Sequence, residues 1–211
     1  IMDAFEETRI SWNKVAVLYQ EKFFDLKLYQ NGYDRFCELL IGDEKKVLDV
    51  GSGPGVIARY LLDKNPKLTV TGIDYAAGMV ELAKRNCPEA DFLEMDVRQM
   101  SKLGERYIGI AAGFIVPYLS REELQSFFRN CFNLLNSEGV FYFSFVESEE
   151  EWSGFITGST DLRVYFYYYP TILIEKFLAD AGFKDIEWEK CIYEKPGGKT
   201  EVHAMVVCKR P

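Results

Sequence analysis

Three glycines follow a short apolar run that contains one aspartate. Residues 47–50 hold Asp49, and Gly51, Gly53 and Gly55 come directly after them. Glycine allows the backbone angles of a sharp turn, and its missing side chain lets a ligand approach the main chain closely. The charge of Asp49 would repel phosphate groups. This segment therefore predicts a ligand-binding turn that suits a cationic amine.

Two further aspartates end predicted strands downstream of the glycines. Asp74 closes the run 71–74, and Asp96 follows the short strand predicted at 92–95. The first carboxylate can accept hydrogen bonds from both hydroxyls of a ribose, and the second can meet the amino group of an adenine. Three acids at the ends of three successive strands, beside one glycine loop, indicate a nucleoside cofactor.

The spacing of the glycines distinguishes between two kinds of nucleoside cofactor. The dinucleotide fingerprint G-x-G-x-x-G requires a third glycine where this chain has Val56. The sequence instead has the pattern G-x-G-x-G, and Asp49 lies close to where a pyrophosphate would bind. A dinucleotide is therefore disfavoured.

Candidate substrate contacts lie in an aromatic segment and after the fourth predicted strand. Residues 163–169 include Arg163, Tyr165 and Tyr168, and Tyr118 follows the strand predicted at 107–114. An arginine in this segment could clamp a substrate carboxylate. A packed aromatic strand is the alternative interpretation of the same residues.

Neither a catalytic base nor a metal site can be assigned from residue types. The single histidine, His203, falls in a strand of the predicted closing hairpin at or near the sheet edge, where it is interpreted as a sheet-face residue. The five cysteines are scattered and form no C-x-x-C pair. We therefore predict neither a disulfide framework nor a metal centre, and the catalytic residue is left unassigned.

The composition excludes several classes of function. The chain has 211 residues, with 25 Lys and Arg against 33 Asp and Glu, and a formal net charge of −8. An acidic balance disfavours nucleic-acid binding, which needs clustered positive charge. No segment reaches the roughly 18–20 apolar residues of a membrane span. We therefore expect a soluble cytoplasmic protein with neither nucleic acid nor membrane as a partner.

Strand and helix patterns alternate along the chain and define the expected fold. They predict an α/β, doubly wound sheet of seven strands, mostly parallel, with a C-terminal antiparallel hairpin. We expect one domain over residues 1–211, with an N-terminal helical lid (1–40) and a cofactor-binding core (41–211). A substrate-side insertion is expected near 147–168, and within it residues 154–161 are predicted to be a loop.

Two local signals define element boundaries within this fold. Ser120 and Glu123 have the spacing of a capping box, which predicts a helix start at this point. Residues 196–198 are Pro-Gly-Gly and predict the turn of the closing hairpin.

The glycine segment and the two downstream aspartates together resemble a known family. Residues 47–55, 72–74 and 95–96, with Met79 between the last two, are similar to class I S-adenosylmethionine-dependent methyltransferases. More narrowly, the chain resembles small bacterial methyltransferase-domain proteins over roughly residues 12–210. The resemblance implies a Rossmann-like methyltransferase fold, S-adenosyl-L-methionine as cofactor and a small-molecule methyl acceptor.

The resemblance also implies a role for each matching position. The loop Gly51, Ser52, Gly53 and Gly55 would lie under the methionine part, with Asp49 near its amine. Asp74 would hold the ribose. The remaining cofactor contacts would be Tyr75 and Met79 along the adenine, Asp96 and Val97 at its edge, Ala112 and Phe114 beside the methionyl tail, and Tyr19 closing over it.

This chain departs from the family pattern around the fourth strand. Relatives often open that strand with Phe-Asp, where this sequence has Tyr107 and Ile108. They often follow it with a pair of histidines, where this sequence has Pro117 and Tyr118. We therefore do not expect this chain to use a mechanism that depends on a histidine after the fourth strand.

Three functional hypotheses follow. The first is methyl transfer from S-adenosylmethionine to an O, N or S atom of a small molecule. The second is a non-catalytic S-adenosylmethionine-binding protein, which the missing histidines and the missing Phe-Asp favour. The third is a nicotinamide-dependent oxidoreductase, which Val56 and Asp49 disfavour.

Overall fold

The computed structural model describes residues 3–43, 45–157, 160–195 and 197–211. The helices in these ranges are α1 (Ala4–Phe23), α2 (Gln30–Leu39), α3 (Val56–Lys64), α4 (Ala77–Asn86), α5 (Arg121–Leu134) and α6 (Thr171–Ala181). The strands are β1 (Lys46–Val50), β2 (Thr69–Asp74), β3 (Asp91–Glu94), β4 (Tyr107–Gly113), β5 (Leu135–Glu147), β6 (Gly154–Thr157), β7 (Arg163–Phe166), β8 (Lys184–Glu194) and β9 (Thr200–Lys209).

Seven of these strands form one sheet in the order β3-β2-β1-β4-β5-β9-β8. The pairs among β1 to β5 are parallel, whereas β9 runs antiparallel to both β5 and β8. The predicted seven-stranded, mostly parallel α/β sheet with a C-terminal antiparallel hairpin is therefore confirmed. Because the strand order reverses between β1 and β4, a crevice opens outside their carboxyl ends, where ligands bind in open α/β sheets.

The central strands are buried on both faces, which explains their continuous apolar runs. In β1, Val47 to Val50 are all buried, and in β4 the six residues from Tyr107 to Ala112 are buried as well. Helices cover both faces of a parallel sheet, so its inner strands carry little polar surface. This rigid centre fixes the ends of β1 and β4, which carry the glycine loop and Phe114.

The predicted capping box at the start of α5 is confirmed. The backbone N–H of Ser120 donates to Glu123 Oε2 at 2.9 Å, and the backbone N–H of Glu123 donates to Ser120 Oγ at 3.4 Å. Helix α6 ends at Ala181 and is capped by Gly182, which has a left-handed φ of 102°.

The segment predicted as a loop at 154–161 is partly a strand. Residues 154–157 form β6, which pairs antiparallel with β7 in a separate two-stranded sheet. β6 pairs with the next strand along the chain, and its composition, which includes Gly154 and Thr157, gives no strand signal without that partner. Gly158 and Ser159 of the predicted loop, and Pro196 of the predicted hairpin turn, lie outside the described residues.

Candidate active site

A cavity lies between α1 and the carboxyl ends of β1, β2 and β4. Half of its lining comes from residues that the sequence predicted for the site. These are Tyr19, Gly51, Gly53, Asp74, Tyr75, Met79, Val97, Phe114 and Tyr118.

The other half of the lining was not predicted from the sequence. It consists of Phe5, Thr8, Arg9 and Trp12 from α1, and of Ile73, Ala76, Met95, Gly113 and Ile115 from the sheet edge. The sheet-edge residues adjoin predicted positions, so proximity to the motifs was an available signal. The α1 residues had only a weak signal, because they form an aromatic helix with no motif of their own.

The glycine loop has the conformation that requires glycine. Gly51, Gly53 and Gly55 have φ values of 64°, 53° and 86°, in the left-handed region that other residues rarely adopt. Gly51 and Gly53 line the cavity. Gly55 instead packs against α4, since a Cβ built on it would lie 3.4 Å from Ala83.

Asp49 lies fully buried beneath this loop and has one unsatisfied oxygen. Its Oδ2 accepts a hydrogen bond from the backbone N–H of Ala58 at 3.1 Å, while its Oδ1 has no hydrogen-bond partner. Burial raises the pKa of Asp49 to about 7. A buried carboxylate oxygen is unfavourable unless it accepts a hydrogen bond or contacts a cation. The carboxylate therefore fits a cationic amine bound above the loop.

Asp74 joins the glycine loop to the end of β2. Its Oδ2 accepts from the backbone N–H of Gly53 at 2.9 Å, and its Oδ1 accepts from that of Ala76 at 2.8 Å. Burial raises the pKa of Asp74 to about 6. Because each carboxylate oxygen has two lone pairs, both oxygens can still accept hydrogen bonds from ligand hydroxyls in the cavity.

Asp96 is placed differently from the position expected for an adenine contact. Its carboxylate accepts from the guanidinium of Arg98, with Nη2 at 2.6 Å from Oδ2, and from the backbone N–H of Arg98 at 2.9 Å. Asp96 caps the 3₁₀ turn Val97–Leu103 and does not line the cavity, whereas Val97 does. The carboxylate of Asp96 is therefore bound by Arg98 and not turned toward the cavity, where an adenine contact is expected from the sequence.

Two other predicted cofactor contacts lie just behind the cavity wall. Ser52 is buried in the loop, with its N–H donating to the carbonyl of Ile73 at 3.0 Å and its Oγ lacking a partner. Ala112 is fully buried within β4, and its neighbour Gly113 lines the cavity instead. Side-chain alternation along a strand accounts for the one-residue difference.

The predicted substrate contacts of the aromatic segment are not brought to the cavity. Arg163 is exposed, forms an ion pair with Glu7 and lies 4.1 Å from the ring centre of Phe155. Tyr165 packs against Phe155 in the β6–β7 hairpin, with ring centres 5.1 Å apart. Tyr168 packs against Phe166 at 4.9 Å. None of the three lines the cavity, so the packed-strand interpretation describes this segment.

Helix α1 covers the cavity and is tied to both of its sides. On one side Ser11 Oγ donates to the carbonyl of Arg163 at 2.7 Å. On the other, the backbone N–H of Gly78 donates to Asn13 Oδ1 at 2.7 Å, and Asn86 donates to Gln20 at 2.8 Å. These contacts hold the aromatic face of α1 over the glycine loop.

Aromatic side chains from α1 and from the loop after β4 meet above Gly53. A Cβ built on Gly53 would lie 3.9 Å from the ring of Tyr19. Trp12 contacts Tyr19 on one side and Tyr118 on the other. Burial raises the pKa of Tyr19 to about 12, so its hydroxyl is protonated at neutral pH.

His203, in β9, lies next to a residue that lines the cavity but does not line the cavity itself. It is buried, its Nδ1 lies 2.8 Å from the hydroxyl of Tyr29, and its Nε2 lies 3.4 Å from Glu201 Oε2. Its ring centre lies 5.0 Å from that of Phe114, which does line the cavity. The backbone of Phe114 has a φ of 55° and its N–H donates to the carbonyl of Ser144 at 3.1 Å.

Over the described ranges, no group of three or more His, Cys, Asp and Glu side chains has the arrangement of a metal site. No helix in the described part of the chain has the length and apolar character needed to cross a bilayer.

The region that carries the glycine loop and the strand-end aspartates is similar to known proteins. Residues 47–139 match the family model described as a methyltransferase domain. The chain is 27% identical over 106 residues to the demethylmenaquinone methyltransferase of Thermotoga maritima, covering 50% of this chain and 45% of that protein. It is 39% identical over 63 residues to the trans-aconitate 2-methyltransferase of Enterobacter sp. strain 638, covering 30% of this chain and 25% of that protein.

The chain thus spans less than half the length of these curated relatives. Among solved structures, it is similar to the magnesium protoporphyrin IX methyltransferase of Synechocystis PCC 6803 with bound S-adenosylmethionine. The TM-score is 0.71 at 18% identity, with 100% of this chain and 99% of that chain covered. Residues 47–139 are therefore similar to the methyltransferase-domain family, and the chain has the fold of the solved S-adenosylmethionine-dependent methyltransferases.

Proposed function

We propose that this protein transfers a methyl group from S-adenosylmethionine to an O, N or S atom of a small molecule. The observation that carries the proposal is the unpaired Oδ1 of Asp49, buried beneath a glycine loop that lines a cavity. An ammonium group bound above the loop would donate a hydrogen bond to this oxygen. The cofactor has such a group on its methionine part, whereas a dinucleotide pyrophosphate would be repelled.

The other residues of the cavity fit the remaining parts of the cofactor. Asp74 would accept the ribose hydroxyls. The adenine would lie among Ile73, Tyr75, Met79 and Val97, which give that end of the cavity a largely apolar wall. We assign the role of Asp96 to holding the turn that carries Val97, because its carboxylate is already bound by Arg98.

The chemistry that the bound cofactor supplies is an electrophilic methyl group on a sulfonium. In-line displacement of this kind depends mainly on alignment of nucleophile, carbon and sulfur, so the protein can contribute through positioning. Tyr19, Trp12 and Tyr118 surround the end of the cavity above Gly53, where the methyl group would be presented. Helix α1 lies over this end of the cavity and narrows it, which supports a small acceptor.

Calorimetric titration with S-adenosylhomocysteine tests the cofactor assignment. We expect saturable binding below millimolar concentration, and no binding at millimolar ligand would contradict the proposal. Formation of S-adenosylhomocysteine across a panel of acceptors then separates an enzyme from a non-catalytic binding protein. A parallel fluorescence titration with NADH is the control for the nicotinamide alternative, and no enhancement is expected.

A further inference from the structure

Helix α4 begins without a capping side chain of its own. Its N-cap residue is Ala76, which makes no side-chain bond to the free backbone N–H groups of the first helical turn. Asn13 of α1 takes this role from outside the helix, because its Oδ1 accepts a hydrogen bond from the backbone N–H of Gly78 at 2.7 Å. Helix α4 therefore has this cap only while α1 is in place.

Gly78 is the residue that lets α1 approach α4 this closely. A Cβ built on Gly78 would lie 3.0 Å from Asn13 Oδ1 and 3.1 Å from the carbonyl oxygen of Asn13. Both distances are shorter than ordinary van der Waals contact. Alanine favours a helix more than glycine does, so the contact with α1, and not helix propensity, accounts for glycine at this position.

The contact between the two helices includes residues that line the cavity. Ala16 of α1 is buried in one hydrophobic cluster with Ala76 and Met79. Ala76 and Met79 also line the cavity, at the end proposed for adenine. Asn13 and Ala16 are three residues apart, so they lie on the same face of α1. This face of α1 therefore contacts the wall of the proposed adenine site.

The carboxyl end of α4 joins the same face of α1 to the glycine loop. Nδ2 of Asn86 donates to Gln20 Oε1 at 2.8 Å and to the carbonyl oxygen of Pro54 at 2.7 Å. Pro54 follows Gly53, which lines the cavity. Gln20 comes two helical turns after Asn13. Helix α1 is therefore bonded to α4 beside both proposed parts of the cofactor site.

We propose that Asn13 and Gly78 are positioning residues that dock α1 on α4, and that the docked helix slows release of the cofactor; the second part rests on the proposed function. Trp12 and Tyr19 of α1 line the cavity, and they move out of it when α1 leaves α4. A ligand that binds the docked state more tightly must favour docking by the same factor. Bound cofactor therefore holds α1 in place.

Hydrogen exchange of the α1 amides measures docking in the ligand-free protein. Gly78→Ala places a Cβ against Asn13, and Asn13→Leu removes the acceptor oxygen at similar side-chain volume. Both variants should exchange these amides about 2- to 30-fold faster, which corresponds to loss of a helix cap. Asn13→Asp keeps an acceptor oxygen and should exchange at the natural rate.

The amides of β4, at the centre of the sheet, are the internal control. Their exchange should stay unchanged in all three variants. An equal rise in α1 and β4 would show general destabilisation and overturn the docking role. Natural exchange of α1 in both Gly78→Ala and Asn13→Leu would overturn it too, as would failure of Asn13→Asp to rescue.

The dissociation rate of S-adenosylhomocysteine tests the second part of the proposal. Stopped-flow tryptophan fluorescence can follow it, since Trp12 lines the cavity. We expect release about 2- to 30-fold faster from Gly78→Ala and Asn13→Leu. Asn13→Asp should keep the natural rate, and so should Val17→Ala, a control on α1 at a side chain that is 57% exposed. Equal rates in all variants would overturn retention by α1.

Exchange with and without S-adenosylhomocysteine separates this inference from the proposed function. Bound ligand should slow exchange of the α1 amides in the natural protein. If the ligand binds and leaves this exchange unchanged, the coupling is refuted while the proposed function stands. If the ligand does not bind, the proposed function and the retention both fail, and exchange in the ligand-free variants still decides whether Asn13 and Gly78 dock α1.

Discussion

The carboxylate of Asp74 accepts a hydrogen bond from the backbone N–H of Gly53 at 2.9 Å. This bond joins the carboxyl end of β2 to the loop that follows β1. Asp74 also lines the cavity, so one side chain both fixes the shape of the glycine loop and faces the space in which we propose that the cofactor binds. Under this proposal, cofactor affinity and loop geometry are coupled through Asp74.

Replacing Asp74 should weaken cofactor binding. Asp74→Ala removes the acceptor for the ribose hydroxyls, and hydrogen bonds to a charged group contribute about 1.5–3 kcal/mol. We expect the affinity for S-adenosylhomocysteine, measured by calorimetry, to fall by roughly 10- to 150-fold. Asp96→Ala is the matched control, because that carboxylate lies outside the cavity and is bound by Arg98. An equal loss in both variants would contradict the assignment.

The stability of the ligand-free protein should decrease with rising pH because of Asp49. Its pKa is raised by burial from 3.8 to about 7, so the folded state binds more protons than the unfolded state between these values. The free energy of unfolding therefore falls as pH rises from about 4 to about 7, by up to about 4 kcal/mol from this group. Urea unfolding at pH 5.5 and pH 8 measures the change.

The control for that experiment is Asp49→Asn. The amide has no charge to desolvate and can still accept from the N–H of Ala58, so the fall attributed to Asp49 should disappear. At pH 8 we expect the ligand-free variant to be more stable than the natural protein. A pH dependence identical in both proteins would show that another group is responsible.

Cofactor binding should release a proton below neutral pH. The ammonium group of S-adenosylhomocysteine favours the ionised form of Asp49, so binding lowers the pKa of that carboxyl. Calorimetry at pH 6 in two buffers with different ionisation enthalpies measures the protons released. We expect net release at pH 6 that is much reduced at pH 8.5, and release that is unchanged in Asp49→Asn would count against an amine contact.

The buried bond between Tyr29 and His203 should contribute to folding and not to cofactor binding. Tyr29→Phe leaves Nδ1 of His203 without its partner at 2.8 Å, which costs about 1–3 kcal/mol when the group is buried. Urea unfolding should register this loss. Affinity for S-adenosylhomocysteine should stay unchanged, since neither residue lines the cavity; a large drop in affinity would instead place the pair in the binding site.

The sequence by itself predicted which residues meet at the cavity beside the glycine loop. Gly51, Gly53 and Asp74 line the cavity as the motif predicted, and Asp49 lies buried beneath them. These residues belong to consecutive strand–helix units of a parallel sheet. In such a sheet the carboxyl ends of neighbouring strands lie side by side at the same edge. The alternating pattern therefore fixes their neighbours with little help from distant parts of the chain.

Only the tertiary structure decided which distant residues meet around the cavity. It placed Trp12 of α1 against Tyr118, turned Arg163 outward to Glu7, and brought His203 against Phe114. Each of these contacts joins residues far apart in the chain. Helical or strand periodicity predicts which face of an element is buried but not which other element covers it, because that choice depends on the packing of the whole core.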